Sequence, residues 1–113
     1  MEDCLFCKFT GGEIAVNKVF ENADFIIIRD INPQAKNHFL AIPKKHFKYL
    51  AEMTAEDSET LGRILKTISS LTDLLELGDG YRLVINQGDD AGQTVPHLHI
   101  HILSGQKMGW QPA

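Results

Sequence analysis

The segment that most constrains the fold of this chain is His97-Leu98-His99-Ile100-His101-Ile102-Leu103. Three histidines alternate in it with large aliphatic residues, which is the two-residue period of a β-strand. The aliphatic side chains are therefore expected to enter a core, while the three imidazoles line the opposite face at intervals of roughly 6.6 Å. A solvated strand that happens to contain several histidines explains the pattern less well, because the chain's other histidines would need separate explanations.

Composition sets the broad class of the protein. A length of 113 residues, 43% of them hydrophobic and 23% charged, predicts a single globular domain spanning 1–113 with a modest core. The net charge of -4 argues against nucleic acid as a partner, because binding the phosphate backbone favours a basic surface. No apolar run approaches the length of a membrane span, and the acidic start Met1-Glu2-Asp3 is unlike a signal peptide. We therefore expect a cytoplasmic protein that does not bind membranes.

The remaining pattern predicts an α+β fold in which one long helix covers one face of a mostly antiparallel sheet. A short helix or knuckle is expected over 4–14, and the periodicity predicts five strands, over 16–21, 25–29, 38–42, 81–85 and 97–103. Thr54 is the predicted N-cap of the helix, with Asp57 in its first turn. Apolar residues recur at spacings of three and four from Leu61 through Leu74 to Leu75, and Gly78 is the predicted C-terminal cap. The polar loop 86–96 then leads back into the histidine strand, and 105–113 shows no periodicity.

The two cysteines form one C-x-x-C pair, Cys4 and Cys7. In a reducing compartment this spacing suggests a metal site or a redox pair before a structural disulfide. A thioredoxin-like motif would follow a strand and open a helix, whereas only three residues precede Cys4 here. A metal site is therefore the preferred interpretation.

Taken together, these motifs resemble the histidine triad (HIT) family. The triad segment matches the family's His-φ-His-φ-His-φ-φ pattern, in which φ is apolar, and the similarity extends to 30–35, 38–46, 86–88, 92–95 and Trp110. It covers nearly the whole chain and is closest to the Hint branch, which comprises purine nucleoside phosphoramidate hydrolases. The resemblance implies a HIT-like fold and a homodimer that pairs through the long helix and the 81–85 strand.

The resemblance also implies roles for individual residues. His99 is the implied nucleophile, His101 contacts the phosphate and Thr94 lies near the leaving group. The other implied contacts to a purine nucleotide are Asp30 at the ribose; Asn86, Gly92 and Gln93 at the phosphate; His38 in the supporting network; and Leu5, Phe6, Phe9, Ile28 and Ile31 around the base. Without the resemblance these residues would be read as loop polars, a turn aspartate, a core histidine and ordinary core contacts, and His101 as a buttress of the site.

Zinc-containing members of the family carry a C-x-x-C pair, which animal Hint sequences lack. By that resemblance Cys4, Cys7, His46 and His97 form a closed Cys₂His₂ site for a structural zinc ion. The alternative is that the cysteines are small buried residues and that His46 is an exposed residue following two lysines.

The leading function is the release of an amine and a nucleoside monophosphate from a purine nucleoside phosphoramidate, which the 92–95 loop and Trp110 favour. Hydrolysis of dinucleoside polyphosphates would use the same chemistry with phosphate as the leaving group. Two other classes remain: a nucleotide-binding regulator with incidental hydrolysis, and a metalloenzyme that binds its metal through all three triad histidines. The cysteines argue against the latter, and the acidic charge argues against a DNA-deadenylating enzyme.

Overall fold

A computed structural model describes residues 4–110, so the predictions for 1–3 and 111–113 lie outside the described residues. The elements are α1 (Leu5–Thr10), β1 (Lys18–Glu21), β2 (Phe25–Arg29), β3 (Asn37–Pro43), α2 (Ala55–Ser70), β4 (Tyr81–Val84) and β5 (Ile100–Ser104), with 3-10 turns at Leu50–Glu52 and Asp89–Ala91. The predicted α+β class, the five-stranded antiparallel sheet and the one long helix are confirmed. No helix within the described range 4–110 is long and apolar enough to cross a membrane.

The sheet has the strand order β1-β2-β3-β5-β4, and every neighbouring pair is antiparallel. Its central strand, β3, is buried along its whole length. Strand β5 pairs with β3 in a register that sets His101 opposite Leu40 and Ile100 opposite Ala41. The histidine segment therefore lies against the most buried strand of the sheet.

The two faces of the sheet carry different layers. On one face, which we call the helix face, Ile64 and Ile68 of α2 pack against a cluster that includes Phe39, Ile100 and Ile102. On the opposite face, which we call the histidine face, α1 packs on a second apolar cluster: Cys4, Phe6, Ile26, Ile28, Leu40 and Ile42. Because successive residues of a strand point to opposite faces, Ile100 and Ile102 of β5 enter the helix-face core and His101 points the other way.

Helix α2 begins at the predicted N-cap. The Thr54 hydroxyl accepts a hydrogen bond from the Asp57 amide at 3.1 Å, and the Asp57 carboxylate accepts one from the Thr54 amide at 3.1 Å. This reciprocal capping box satisfies two backbone donors that a helix start leaves unpaired.

The prediction that this helix runs to Leu75 with Gly78 as its cap is wrong. The helix ends at Ser70. The Leu75 amide then donates a hydrogen bond to the Leu71 carbonyl within a separate turn. Leu75 and Leu77 are buried by that turn, whereas Leu74 is 45% exposed. The error arises because apolar residues spaced by three and four fit a turn that folds back on the core as well as they fit a helix.

The histidine strand is also shorter than predicted. Pairing in β5 begins at Ile100, because the Leu98 amide donates to the Phe47 carbonyl at 2.7 Å and the His97 amide to the Val95 carbonyl at 2.8 Å. Both bonds take residues 97–99 out of the ladder. At three other strands the bounds shift slightly, since β1 begins at Lys18, β3 spans Asn37–Pro43 and β4 ends at Val84.

Candidate active site and metal centre

The three triad histidines do not form one uniform row. The rings of His99 and His101 are neighbours on the histidine face, with centroids 5.1 Å apart. His97 precedes β5, and its Nδ1 lies 3.3 Å from the Cys4 sulfur. Residues 97–99 precede β5, so the prediction that the strand includes His97 and His99 is wrong, although both rings lie on the histidine face against Phe6.

His99 has one committed nitrogen and one free nitrogen. Its Nδ1 lies 2.9 Å from the main-chain oxygen of His97, and a carbonyl oxygen can only accept. Nδ1 therefore carries the proton, and the lone pair of the neutral ring is on Nε2. The residue is 7% exposed, so most of the His99 ring is buried. A neutral imidazole with an unprotonated nitrogen can act as a nucleophile.

His101 belongs to a second network that includes His38. The Gln34 amide donates to Nδ1 of His38 at 3.0 Å, so the neutral His38 ring carries its proton on Nε2. That Nε2 lies 2.9 Å from Nδ1 of His101 and 3.4 Å from a carboxylate oxygen of Asp30. His101 accepts this hydrogen bond, which leaves its own proton on the outer nitrogen, Nε2.

This second network is held in the neutral state. Burial, together with the neighbouring His99 and His38 rings, lowers the pKa of His101 to about 4. Burial also lowers the pKa of His38, which Asp30 opposes with its negative charge. Both rings are thus uncharged at neutral pH, and His101 offers an N–H group that needs no ionisation.

A separate group of four side chains can hold a metal ion. The ligand atoms of Cys4, Cys7, His46 and His97 all lie within 4.8 Å of one another. The Cys7 sulfur is 3.0 Å from Nδ1 of His46 and 3.4 Å from Nδ1 of His97. A tetrahedral zinc ion with bonds of about 2.3 Å to sulfur and about 2.05 Å to nitrogen would separate such atoms by about 3.5 Å. The four positions therefore match a small tetrahedral cation.

The hydrogen bonds around His97 support the same interpretation. Its Nε2 lies 2.7 Å from the Pro43 carbonyl, which fixes the proton there and leaves Nδ1 free to bind a metal. Burial raises the pKa of the Cys7 thiol to about 11, so the thiolate needs a cation beside it at neutral pH. Thiolate and imidazole together are ligands that favour zinc. The residues present fit the zinc ion that the resemblance implies.

Two local structures bring these ligands together. Cys4 is the N-cap of α1, and its sulfur accepts a hydrogen bond from the Cys7 amide at 3.2 Å. Next to His46, the Lys45 ammonium lies 2.6 Å from the carboxylate of Asp57 at the start of α2. This ion pair attaches the His46 segment to the long helix. No local sequence pattern relates two residues on either side of a loop, so this pair is visible only in the structure.

The polar residues predicted at the phosphate are mostly engaged within their own loop. The side-chain amide of Asn86 donates a hydrogen bond to the Ala91 carbonyl at 2.9 Å. The Gln93 side chain accepts from the Gly88 amide at 2.9 Å and donates to the Lys48 carbonyl at 3.1 Å. Gly92 has a left-handed backbone with φ of 85°, a conformation that favours glycine. Thr94 is exposed. In this structure Asn86 and Gln93 shape the loop, and Thr94 is one of the side chains that the loop exposes to solvent.

The residues expected around the base fall into two groups. Ile31 is 91% exposed and Leu5 is 44% exposed, whereas Phe6 and Ile28 are each 5% exposed. Phe9 is half-buried beside Phe6, with ring centroids 6.0 Å apart. The structure therefore does not bring all five to one open slot. Two of them are core residues of the histidine face.

Asp30 lies directly after β2, at the edge of the histidine face. One carboxylate oxygen accepts a hydrogen bond from the Asn32 amide at 2.8 Å, which closes a turn. The other oxygen is the one near His38, 3.4 Å from Nε2. Asp30 is therefore both a turn aspartate and a neighbour of the histidine network.

Comparison with known proteins gives consistent similarities over nearly the full chain. The sequence pattern described as the HIT domain matches residues 11–108. An uncharacterised HIT-like protein of Synechococcus elongatus is 43% identical over 111 residues, which are 98% of this chain and 97% of the relative. A solved HIT family hydrolase from Legionella pneumophila is 44% identical, with a TM-score of 0.85, and the alignment covers 98% of this chain and 100% of the other.

Two further solved structures share the fold. A histidine triad protein from Clostridium difficile is 35% identical with a TM-score of 0.90, covering 99% of this chain and 98% of the other. A zinc-bound histidine triad family protein from Mycobacterium smegmatis is 30% identical with a TM-score of 0.78, covering 99% of this chain and 84% of the other.

Proposed function

This chain belongs to the HIT domain family, and on that premise we propose that it is a Hint-like nucleotide hydrolase that cleaves purine nucleoside phosphoramidates. The observation that carries the proposal is the state of His99, whose Nδ1 is committed to the His97 carbonyl and whose Nε2 is unprotonated. The solved relative from Legionella pneumophila, described as a hydrolase, supports the general class of reaction.

In the proposed first step, the Nε2 lone pair of His99 forms a bond to the α-phosphorus of the nucleotide. The bond from phosphorus to the leaving amine breaks, and its electron pair goes to the departing nitrogen, which takes up a proton. Water then attacks the nucleotidyl-histidine and releases a proton to solvent, which balances the proton taken up by the amine. The P–N bond to His99 breaks, and the nucleoside monophosphate leaves. The lone pair returns to Nε2, so the enzyme is regenerated.

Other residues of the site are proposed to stabilise the negative charge on the phosphate oxygens and to bind the nucleotide. The outer N–H of neutral His101 is suited to donate to a non-bridging phosphate oxygen as negative charge develops there. Asp30 is the proposed acceptor for the ribose hydroxyls, since its side chain is partly exposed at the edge of the histidine face. Thr94, exposed in the loop, is the proposed neighbour of the departing amine.

We further propose that Cys4, Cys7, His46 and His97 hold a structural zinc ion. With four protein ligands the site is closed, so a bound zinc would stabilise the fold and leave no coordination position for substrate. The zinc-bound relative from Mycobacterium smegmatis supports this assignment for the family. The metal would then join α1 to the segment after β3 and to the segment before β5.

A homodimer is proposed on the edge of the sheet. Strand β4 lies at that edge, and an edge strand carries backbone groups that can pair with another strand. A cleft of about 680 Å³ beside it, lined by 76–82 and 105–108, gives a partner further surface to occupy. Molar mass in solution tests this assembly directly: two chains are expected, and one chain would remove the proposal.

The metalloenzyme alternative is disfavoured by the separate partners of the triad histidines. Among residues 4–110, His97 groups with the cysteines and His101 groups with Asp30 and His38. His99 belongs to neither group. Hydrolysis of dinucleoside polyphosphates remains the second candidate, because the same nucleophile could displace a phosphate leaving group.

The test compares kcat/KM for an adenosine phosphoramidate and for a dinucleoside tetraphosphate, with His99→Ala as the matched control. We expect the phosphoramidate to be the better substrate and both activities to disappear in the variant. A preference for the tetraphosphate would favour the second candidate. Tight binding of AMP without turnover of either substrate would indicate a nucleotide-binding regulator.

A further inference from the structure

We propose that α1 and the four-residue metal cluster hold the His99 ring in place, with Phe6 as a positioning residue. The term nucleophile for His99 rests on the proposed function. The contacts that orient its ring do not, because they are made by residues of this chain alone.

Phe6 lies between the two cysteines in sequence and against His99 in space. Its ring is 5% exposed, and its centroid is 5.0 Å from that of His99 with an angle of 87° between the planes. This is an edge-to-face contact, a favourable arrangement for two aromatic rings. The same Phe6 ring lies 6.0 Å from His97 at an angle of 69°. The ring centroids of His101 and His99 are 5.1 Å apart, so the His99 ring contacts two other rings.

The second contact that orients His99 also comes from the metal cluster. His97 places its Nδ1 beside both cysteine sulfurs, and its main-chain oxygen accepts the Nδ1 proton of His99. The ring contact to His99 therefore comes from Phe6 of α1, the helix that carries the cluster residue Cys7. The hydrogen bond to His99 comes from the main chain of His97, another cluster residue. When the cluster is assembled, both the orientation and the tautomer of His99 are determined.

This role differs from the one that the resemblance implies for Phe6. A residue lining an open base slot needs ring surface for the base, and Phe6 has almost none exposed. Its surface is occupied by His97, His99 and the apolar cluster of the histidine face. The metal cluster is therefore connected to the chemistry of His99 even though it has no position for substrate.

The experiment measures the tautomer of His99 directly, by long-range proton–nitrogen correlation spectra of protein labelled with ¹⁵N-histidine. Three zinc-loaded samples are compared: wild type, Phe6→Leu and Phe20→Leu. Phe20 is the matched control, since it is a partly buried phenylalanine that packs against Phe25 on the helix face, with centroids 5.5 Å apart. A fourth sample is wild type after removal of zinc by a chelator. No nucleotide is added, so the result is independent of whether the proposed substrate is correct.

We expect zinc-loaded wild type and Phe20→Leu to show one His99 tautomer, with the proton on Nδ1. In Phe6→Leu, with zinc content unchanged, and in the chelated protein, we expect that signal to be lost to a mixture of tautomers. A single Nδ1–H tautomer in Phe6→Leu would overturn the positioning role of Phe6. The same signal in chelated wild type would overturn the link to the metal. If the chelated chain unfolds, Phe6→Leu at full zinc content still decides the proposal.

Discussion

The Nδ1 atom of His99 lies 2.9 Å from the main-chain oxygen of His97, two residues earlier in the chain. One residue thus serves two neighbouring sites, because the side chain of His97 belongs to the metal cluster and its backbone sets the tautomer of His99. The two histidines are therefore expected to respond differently to substitution.

Replacement of His99 should remove turnover and leave the rest of the protein intact. His99→Ala is expected to lower the rate by orders of magnitude, because the covalent route is lost, while AMP binding and metal content are retained. The measurement is kcat for an adenosine phosphoramidate, with AMP affinity measured on the same preparation. A variant that keeps more than about a tenth of the wild-type rate would show that another group is the nucleophile.

Replacement of a cluster residue should instead remove metal and stability together. His97→Ala and Cys7→Ser are both expected to lower zinc per chain and the melting temperature, because metal-binding energy at such a site is folding energy. A loss of only about 1–2 kcal/mol would lower Tm by roughly 5–10 °C in a chain of this size. Elemental analysis and thermal unfolding give both quantities, and His99→Ala is the matched control that should keep its zinc. Wild type without zinc, or His97→Ala with full zinc and unchanged Tm, would refute the assignment.

Asp30→Ala should weaken nucleotide binding by about 1–3 kcal/mol, the usual cost of losing hydrogen bonds to a charged acceptor. The loss is expected for AMP and should be small for an analogue that lacks both ribose hydroxyls. Calorimetric titration of wild type and variant with both nucleotides provides the comparison. Equal losses would mean that Asp30 acts through its turn and its contact with His38, which are the partners seen in this structure.

Stability should fall as the pH decreases from 6.5 toward 4. The pKa of His101 is about 4 in the folded chain, against an ordinary value of 6.5, so the unfolded chain binds more protons between these values. The stability contributed by neutral His101 is thus complete above pH 6.5 and is lost as the pH falls toward 4. Urea denaturation at about pH 7 and about pH 5 measures the difference in free energy of unfolding. His101→Gln should make that difference smaller, and an unchanged difference would assign the acid sensitivity to other groups.

Sequence alone determined the features that depend on local periodicity and on residue chemistry. Alternation in the histidine segment predicted that Ile100 and Ile102 would enter a core, and both do so. Thr54 is the predicted N-cap because its hydroxyl can accept a hydrogen bond from an unpaired backbone amide. In the structure it accepts one from the Asp57 amide. The C-x-x-C pair and the family resemblance together named four metal ligands, whose ligand atoms the fold brings within 4.8 Å.

Tertiary structure decided what depends on contacts between residues far apart in sequence. The bond from the Leu98 amide to the Phe47 carbonyl keeps residues 97–99 out of the sheet, so the histidine strand begins only at Ile100. The buried turn after Ser70 ends the long helix, and the Lys45–Asp57 ion pair attaches the His46 segment to it. Phe6 is set against His99 by the packing of α1 on the sheet. Periodicity reports which side chains share a face within one element, whereas these four features depend on which elements meet, and that is decided by the packing of the whole chain.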